Sequence, residues 1–424
     1  MKRITYRLAV GTAAAALFTG VASAQTVADY TAVDVGLLPG AFSNVPWGMN
    51  NAGEVVGWNQ GPLTILRAYV WRPGQGISEL PPPAGYSENQ AADISNTGII
   101  VGSAHNGGTS NQAAWRRVNG VYQILPSITG CASNRPVAVN DLGAVVGHSC
   151  PDSVWDTPGR TPWYYSDETG LINLAPLGFR NVGDVNNAGV VTGNGVVNGV
   201  SGALRWQAPA GPVEVLPMLP APYNDSAMGE GINEAGQVVG TSINILTGSD
   251  TWRAFLNTPG GGTEMVSNPV TARSSAYAIN ESGHIVGTDG TTSTTDIYGW
   301  VWTPESGKRF IYATHNGSAP FHANRSIDIN DSGQVVCRAA NANTPSNTFV
   351  LTPIAPPPPP PCPADFNTDG AVTTSDVSAF LSAWFTDVAG GGSAADFDDS
   401  GATTTADISA YLSAWFTAIA AGGC

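Results

Sequence analysis

The sequence predicts an all-β repeat domain, read as a seven-bladed β-propeller, followed by a small all-α calcium-binding domain built from two loop-helix halves. Three observations predict it: a short motif recurs with a period near 45 residues, a polyproline stretch interrupts the chain, and two near copies of one acidic loop follow.

The recurring motif is NNAGEVVG at 50, SNTGIIVG at 95, NDLGAVVG at 140, NNAGVVTG at 186, NEAGQVVG at 233, NESGHIVG at 280 and NDSGQVVC at 330, with starts 45, 45, 46, 47, 47 and 50 residues apart. A period of that length made of short strands belongs to propellers rather than to helical solenoids. In each unit two apolar runs flank an Asn-x-x-Gly turn, which makes a β-hairpin, because Asn and Gly supply the turn conformations that other residues resist. An aromatic-rich third strand follows (RAYVW, QAAWRR, TPWYYS, GALRW, WRAFLN, YGWVWT, NTFVLT), and a fourth follows in six units (ISEL, YQIL, INLA, VEVL, EMVS, RFIYA). The seventh unit lacks a fourth strand, whereas TAVDVGLLPG at 31–40 is strand-like and unassigned. Its pairing with the last unit would close the ring and cover the open sheet edges. An open β-solenoid of the same units is the other arrangement the pattern allows.

These units resemble the HAF-type extracellular repeats, whose core is Ile-Asn-x-x-Gly-x-Val-Val-Gly followed by an aromatic strand. INEAGQVVG, INESGHIVG and INDSGQVVC match best, over roughly residues 31–352, while Ser95 and Cys337 depart from the motif's Asn and last Gly. The resemblance implies export and a repeat fold rather than any particular chemistry.

At the N-terminus Lys2, Arg3 and Arg7 precede an apolar run that ends at Ala22-Ser23-Ala24, the layout of a secretory signal peptide over residues 1–24. The repeat domain then occupies 25–353, a polyproline linker 354–361, and the C-terminal domain 362–424. No later segment is apolar enough to span a bilayer, so a secreted, extracellular or surface-associated protein without a transmembrane segment is expected. Removing the signal takes away three of the 17 basic residues and none of the 32 acids, so the net charge moves from -15 to 14 - 32 = -18. That excludes nucleic acid as the expected partner and suits cations, neutral glycans or a protein. Export makes disulfides plausible. Cys131 and Cys150 flank one hairpin, and Cys362 and Cys424 bracket the C-terminal domain, so those pairs are expected, with Cys337 left as a free, buried packing residue. Other connectivities stay open, since spacing does not fix spatial closeness.

The two acidic loops begin ADFNTDGAVTTSD at 364 and ADFDDSGATTTAD at 395. In the first, Asp365, Asn367 and Asp369 fall at loop positions 1, 3 and 5, with a glycine at 6 and Asp376 at 12. In the second the equivalents are Asp396, Asp398, Ser400 and Asp407. This is calcium-loop spacing, in which alternate side-chain oxygens converge on one ion. The backbone carbonyls of Ala371 and Ala402 would serve position 7, and Thr373 and Thr404 position 9, giving two ions in all. Ser400 replaces an acid, so the second site should hold calcium more weakly. After the loops, Val377, Phe380, Leu381, Trp384 and Phe385, then Ile408, Tyr411, Leu412, Trp415 and Phe416, are spaced to share one helical face.

These halves, with Cys362 before them and Gly-Gly-Cys424 after, resemble a GC-type dockerin-like module. That resemblance implies calcium-dependent docking to a cohesin-like or other surface protein. In that family loop positions 10 and 11 help choose the partner, which carries over to Thr374 with Ser375 and Thr405 with Ala406.

Metalloprotease, serine-hydrolase and phosphate-loop signatures are absent from the chain. The histidines are scattered among different units, and His148 and His284 read as surface residues. Acids from different blades could still meet in a propeller channel, with Glu230, Glu234 and Glu281 as candidates, although Glu234 and Glu281 follow the turn Asn and read as exposed turn residues. Trp71, Trp115, Trp206 and Trp302 read as one recurring packing position, leaving Trp47 and Trp58 as candidates for stacking on a glycan. The expectation is therefore a non-catalytic exported binding or display protein with no catalytic residues and a glycan as candidate propeller ligand. The alternative is a polysaccharide-active hydrolase or lyase on the same scaffold.

Overall fold

The computed structural model describes residues 29–354 apart from 108–110, 151–159, 245–250, 268–272, 291–296, 317–320 and 340–347, and residues 364–421 apart from 368, 370, 391, 398, 399 and 401. The expected signal peptide, the proline linker, Cys362, Cys424 and Asp398 lie outside the described residues. The chain divides into two compact units, Met1–Ile354 and Ala355–Cys424.

The first unit is a series of antiparallel four-stranded meanders. In the first meander β2 (Ser43–Met49), β3 (Val55–Gln60), β4 (Leu66–Arg72) and β5 (Gly76–Glu79) pair in sequence order, joined by the Asn50–Gly53 turn. Residues 88–124, 133–173 and 179–215 repeat it. Two further meanders, 226–265 and 273–310, are linked into one sheet by the single parallel pair Trp252↔Arg273. The last sheet uses three strands from 325–353, and its fourth is supplied by β1 (Tyr30–Asp34), which runs antiparallel to Thr348–Pro353 in register Tyr30↔Pro353 to Asp34↔Phe349; the short strands Tyr312–Thr314, parallel to β1, and Phe321–His322 extend this sheet to six. The N-terminal strand thus fills the missing place, starting at Tyr30 and ending well short of residue 40.

The turn asparagines explain why neighbouring sheets stay in step. In Asn140, Oδ1 accepts the backbone N–H of Leu142 and Ala144 at 3.1 and 2.8 Å, while Nδ2 donates to the Asn186 carbonyl of the next sheet at 2.8 Å. The same donation runs Asn186→Asn233, Asn233→Asn280 and Asn280→Asn330, then from Asn330 back to the Asn50 carbonyl and from Asn50 to that of Ser95. Ser95 cannot reach across, and Thr97 Oγ1 donates to the Asp141 carbonyl instead at 3.0 Å. The array of sheets closes on itself, and an open solenoid is excluded.

Between strands the packing depends on the motif's last glycine. Trp115, Trp163 and Trp300 lie opposite Gly102, Gly147 and Gly287 and are fully buried. A Cβ on Gly102 would sit 2.0 Å from the Gln90 carbonyl oxygen and 2.4 Å from the Trp115 ring, so no larger residue fits. Trp71, Trp206 and Trp302 instead lie two residues further along, opposite Val55, Val191 and Ile285. The tryptophans therefore occupy two strand positions, not one. Cys337 takes the glycine's place in the last sheet. The residue opposite it, Phe349, turns its ring toward Phe321 at 5.0 Å and His315 at 5.7 Å rather than over the strand.

The second unit holds α1 (Thr374–Gly390) and α2 (Thr405–Ala421). Its core is the stacked pair Phe380 and Tyr411, with centroids 4.2 Å apart, flanked edge-on by Phe366 and Phe397. Phe385 and Phe416, expected on the same apolar face, are instead 65% and 63% exposed. They follow the half-buried Trp384 and Trp415, whose indoles turn onto the opposite loop.

Candidate binding channel and candidate metal loops

Every inner strand of the meanders carries a β-bulge three residues before its turn motif begins. A bulge re-aims the extra residue. Here the bulged residues Trp47, Ala92, Val137, Gly183, Glu230, Tyr277 and Ile327 line one central cavity of about 350 Å³, together with Arg325 and Arg338. An adjoining cavity of about 300 Å³ shares Trp47 and Glu230 and adds Arg135, His148 and Arg160.

Three aspartates follow the bulge, and sequence reasoning passed them over. Asp93, Asp184 and Asp328 each accept the next residue's N–H on one oxygen, at 2.7–2.8 Å. On the other oxygen they accept an N–H from the neighbouring sheet, from Val139, Ile232 and Met49, at 2.8, 3.1 and 2.7 Å. They fasten sheet to sheet, and Asp328 fastens the last sheet to the first. Gly48 holds the equivalent place in the first strand, where a Cβ would meet the Asp93 carboxylate at 2.5 Å. Burial, the largest cause, pushes the Asp184 carboxyl up to about 6 and that of Asp328 to about 7. Burial and then the charges of Asp184 and Asp328 raise Asp93 well above the usual range. The available signal was the alternation of Asp with Gly or Ala two residues before each motif.

The three candidate glutamates do not gather at one site: Glu234 and Glu281 are neighbours, and Glu230 lies apart from them. Glu234 and Glu281 sit on the turn face, in a ring where each unit's turn N–H donates to the next unit's side chain: Asn51 to Asn96, Asn96 to Asp141, Asp141 to Asn187, Asn187 to Glu234, Glu234 to Glu281, Glu281 to Asp331 and Asp331 to Asn51, all within 2.6–2.9 Å. They are latches on the exposed face, as turn residues should be. Glu230 alone faces the central cavity, where burial pushes its carboxyl up to about 7.

His148 is buried, not at the surface as expected, because it lies on the second strand of a meander and faces the next sheet. Its Nε2 accepts the Val182 N–H at 3.1 Å, and burial with the Arg160 charge pulls its pKa down to about 3, so it stays neutral. His284 is half-buried and lies just after its turn. Trp47 is 43% exposed at the channel, and Trp58 is half-buried.

In the second unit the carboxylates of Asp365, Asp369 and Asp376 come within 4.8 Å of one another. Asp376 and Asp407, at loop position 12, are buried and accept loop N–H groups, Thr373 and Asn367 donating to the first at 2.8 and 3.2 Å, Thr404 and Phe397 to the second at 2.7 and 2.8 Å. The side chain of Asn367 donates to Asp369, and Ser400 Oγ bonds Asp396 and the Ala402 carbonyl. The helices exchange contacts: Trp384 Nε1 donates to the Thr404 carbonyl and Trp415 Nε1 to that of Thr373. Thr374, Ser375, Thr405 and Ala406 are exposed at the helix starts, and Ala371 is exposed in its loop.

Cys131 carries a free thiol, so the expected bridge to Cys150 is not formed; Cys131 closes a turn onto Ile128, and the residue paired with Cys150 is Ser133. Cys337 is free and buried, as expected. No described helix is long and apolar enough to cross a membrane.

No family model matches the chain, and no curated protein matches it. Among solved structures it is similar to the β-propeller domain of the Trilobed protease from Pyrococcus furiosus, at 9% identity and TM-score 0.46, covering 75% of this chain and 99% of that one. It is also similar to an oligogalacturonate lyase in complex with manganese, at 11% identity and TM-score 0.45, covering 73% and 88%. TolB from Acinetobacter baumannii is similar at 9% identity and TM-score 0.41 over 62% of this chain and 64% of TolB, so the chain spans less than two thirds of that protein.

Proposed function

We propose that the chain is an exported, non-catalytic binding protein: a seven-bladed propeller of HAF-type units that holds a ligand at its channel. A calcium-loaded, dockerin-like module would fasten it to a protein on the cell surface or in an extracellular complex. The observation that carries the non-catalytic reading is where the acids are spent. The wall aspartates accept backbone N–H groups on both oxygens, Glu234 and Glu281 are latches, and Glu230 faces the cavity without a second acid from the candidate set. Sugar hydrolysis by the common routes needs two carboxyl groups across one bond.

For the module, the donor set suits calcium: the first loop offers three converging carboxylates, the Asn367 side chain and the Ala371 carbonyl, all oxygen donors. The pseudo-symmetric exposed residues Phe385, Val388, Phe416 and Ile419 would present an apolar patch to the partner. The reading of activity is tested by incubating the full chain with a panel of neutral and acidic polysaccharides and measuring released ends. Release at the buffer rate is expected. Release that Glu230→Gln abolishes would replace the binder with the polysaccharide-active enzyme.

A further inference from the structure

The basic residues are distributed unevenly. After the signal segment 14 remain, yet four arginines line the two cavities that share Trp47 and Glu230. Arg325 and Arg338 are directly opposite each other in register on the last sheet. Among the described residues neither side chain has a hydrogen bond or ion pair to a carboxylate, and Arg325 lies only over the Tyr277 ring, at 5.8 Å. The nearby wall aspartates hold backbone N–H groups on both oxygens. Burial first, and then the Arg325 charge, lowers the Arg338 pKa, against an opposing influence of Tyr69. Such a pair is unfavourable until an anion joins it, and a guanidinium fork grips a carboxylate on two bonds.

We propose that this mouth binds an acidic oligosaccharide, its carboxylates held by Arg325 and Arg338 and a sugar ring packed against Trp47. This rests on the reading of the propeller as a binding domain. A sugar is favoured over a simple anion because Trp47, 43% exposed, brings an indole to the same cavities as the cations, and the adjoining cavities of about 300 and 350 Å³ exceed what one small ion fills. A nucleic acid is disfavoured by the net charge of -18 that the whole chain carries after the signal segment. Glu230, uncharged below about pH 7, can donate its O–H to a sugar hydroxyl rather than repel the ligand.

The test titrates the full chain, with chelator present, against tetragalacturonate and against cellotetraose as the neutral counterpart, by calorimetry. Tetragalacturonate should bind at least tenfold more tightly. Arg325→Ala with Arg338→Ala should weaken it at least tenfold without lowering the melting temperature. The double lysine variant should recover part of the loss, and Trp47→Ala should weaken binding several-fold. Equal affinity for cellotetraose, or a double alanine variant that binds like the parent, overturns the acidic assignment and leaves a binding propeller standing. Affinity for neither sugar also overturns it. Cleavage of tetragalacturonate would support the ligand class while overturning the non-catalytic reading.

Discussion

Replacing Asn140 by alanine removes one side chain that serves two sheets at once. Its Oδ1 accepts two N–H groups of its own turn, and its Nδ2 donates to the Asn186 carbonyl next door. The bonds to Ala144 and Asn186 are buried, so the groups left behind have no water to turn to, whereas Leu142 is exposed and does. At about 1–3 kcal/mol for each buried unsatisfied group, with partial relaxation, the cost is about 3 kcal/mol. For a domain of roughly 320 residues, an unfolding entropy of about 2.1 cal/mol/K per residue turns that into a drop of about 4 °C in Tm. Asn51→Ala is the control. It removes one latch on the exposed turn face, where water replaces the bonds to Asp331, so about 1 °C or less is expected. The assay is thermal unfolding followed by tryptophan fluorescence. Equal shifts for the two variants, or a shift below 1 °C for Asn140→Ala, would refute the claim that buried cross-sheet donation holds the ring in step.

Other outcomes follow from the same geometry. Gly102→Ala places a Cβ against the Gln90 carbonyl and the Trp115 ring, and should cost more than about 3 kcal/mol or prevent folding, read by soluble yield and Tm. Stability of the propeller should fall as pH rises from about 4 through 7. The wall carboxyls have raised folded values, about 6 for Asp184 and about 7 for Asp328, so the folded state keeps protons that the unfolded chain releases above about pH 4. Asp328→Asn should flatten that slope between pH 4 and 8, and an unchanged slope would count against it. In the folded protein a thiol reagent should modify half-buried Cys131 and spare Cys337, whose thiol burial pushes up; labelling of Cys337 without denaturant would contradict its packing role.

What the sequence displayed was local chemistry. The Asn-x-x-Gly turns, the hairpins around them and the strand order within each unit are specified by residues a few positions apart, and all are present. The N-terminal strand was legible for another reason, since one unit lacked a partner and one strand lacked a unit. The bulges were not legible, because a one-residue register shift leaves no residue type behind, and so the turning of Trp47, Glu230 and Tyr277 into the channel was hidden. Nor was the gathering of Arg135, Arg160, Arg325 and Arg338, which lie far apart along the chain and meet only when the ring closes. The burial of His148 and the exposure of Phe385 share that origin: each depends on the element beside it, which strand or helix periodicity does not name.

The most direct measurement of the central claim uses the immobilised full chain as bait for the producing organism's envelope and secreted fractions, once with calcium and once with chelator. A protein should be retained with calcium, released by chelator, and lost when Asp365 and Asp376 are changed to alanine. Retention that ignores calcium, or none in either condition, would contradict the proposed tether.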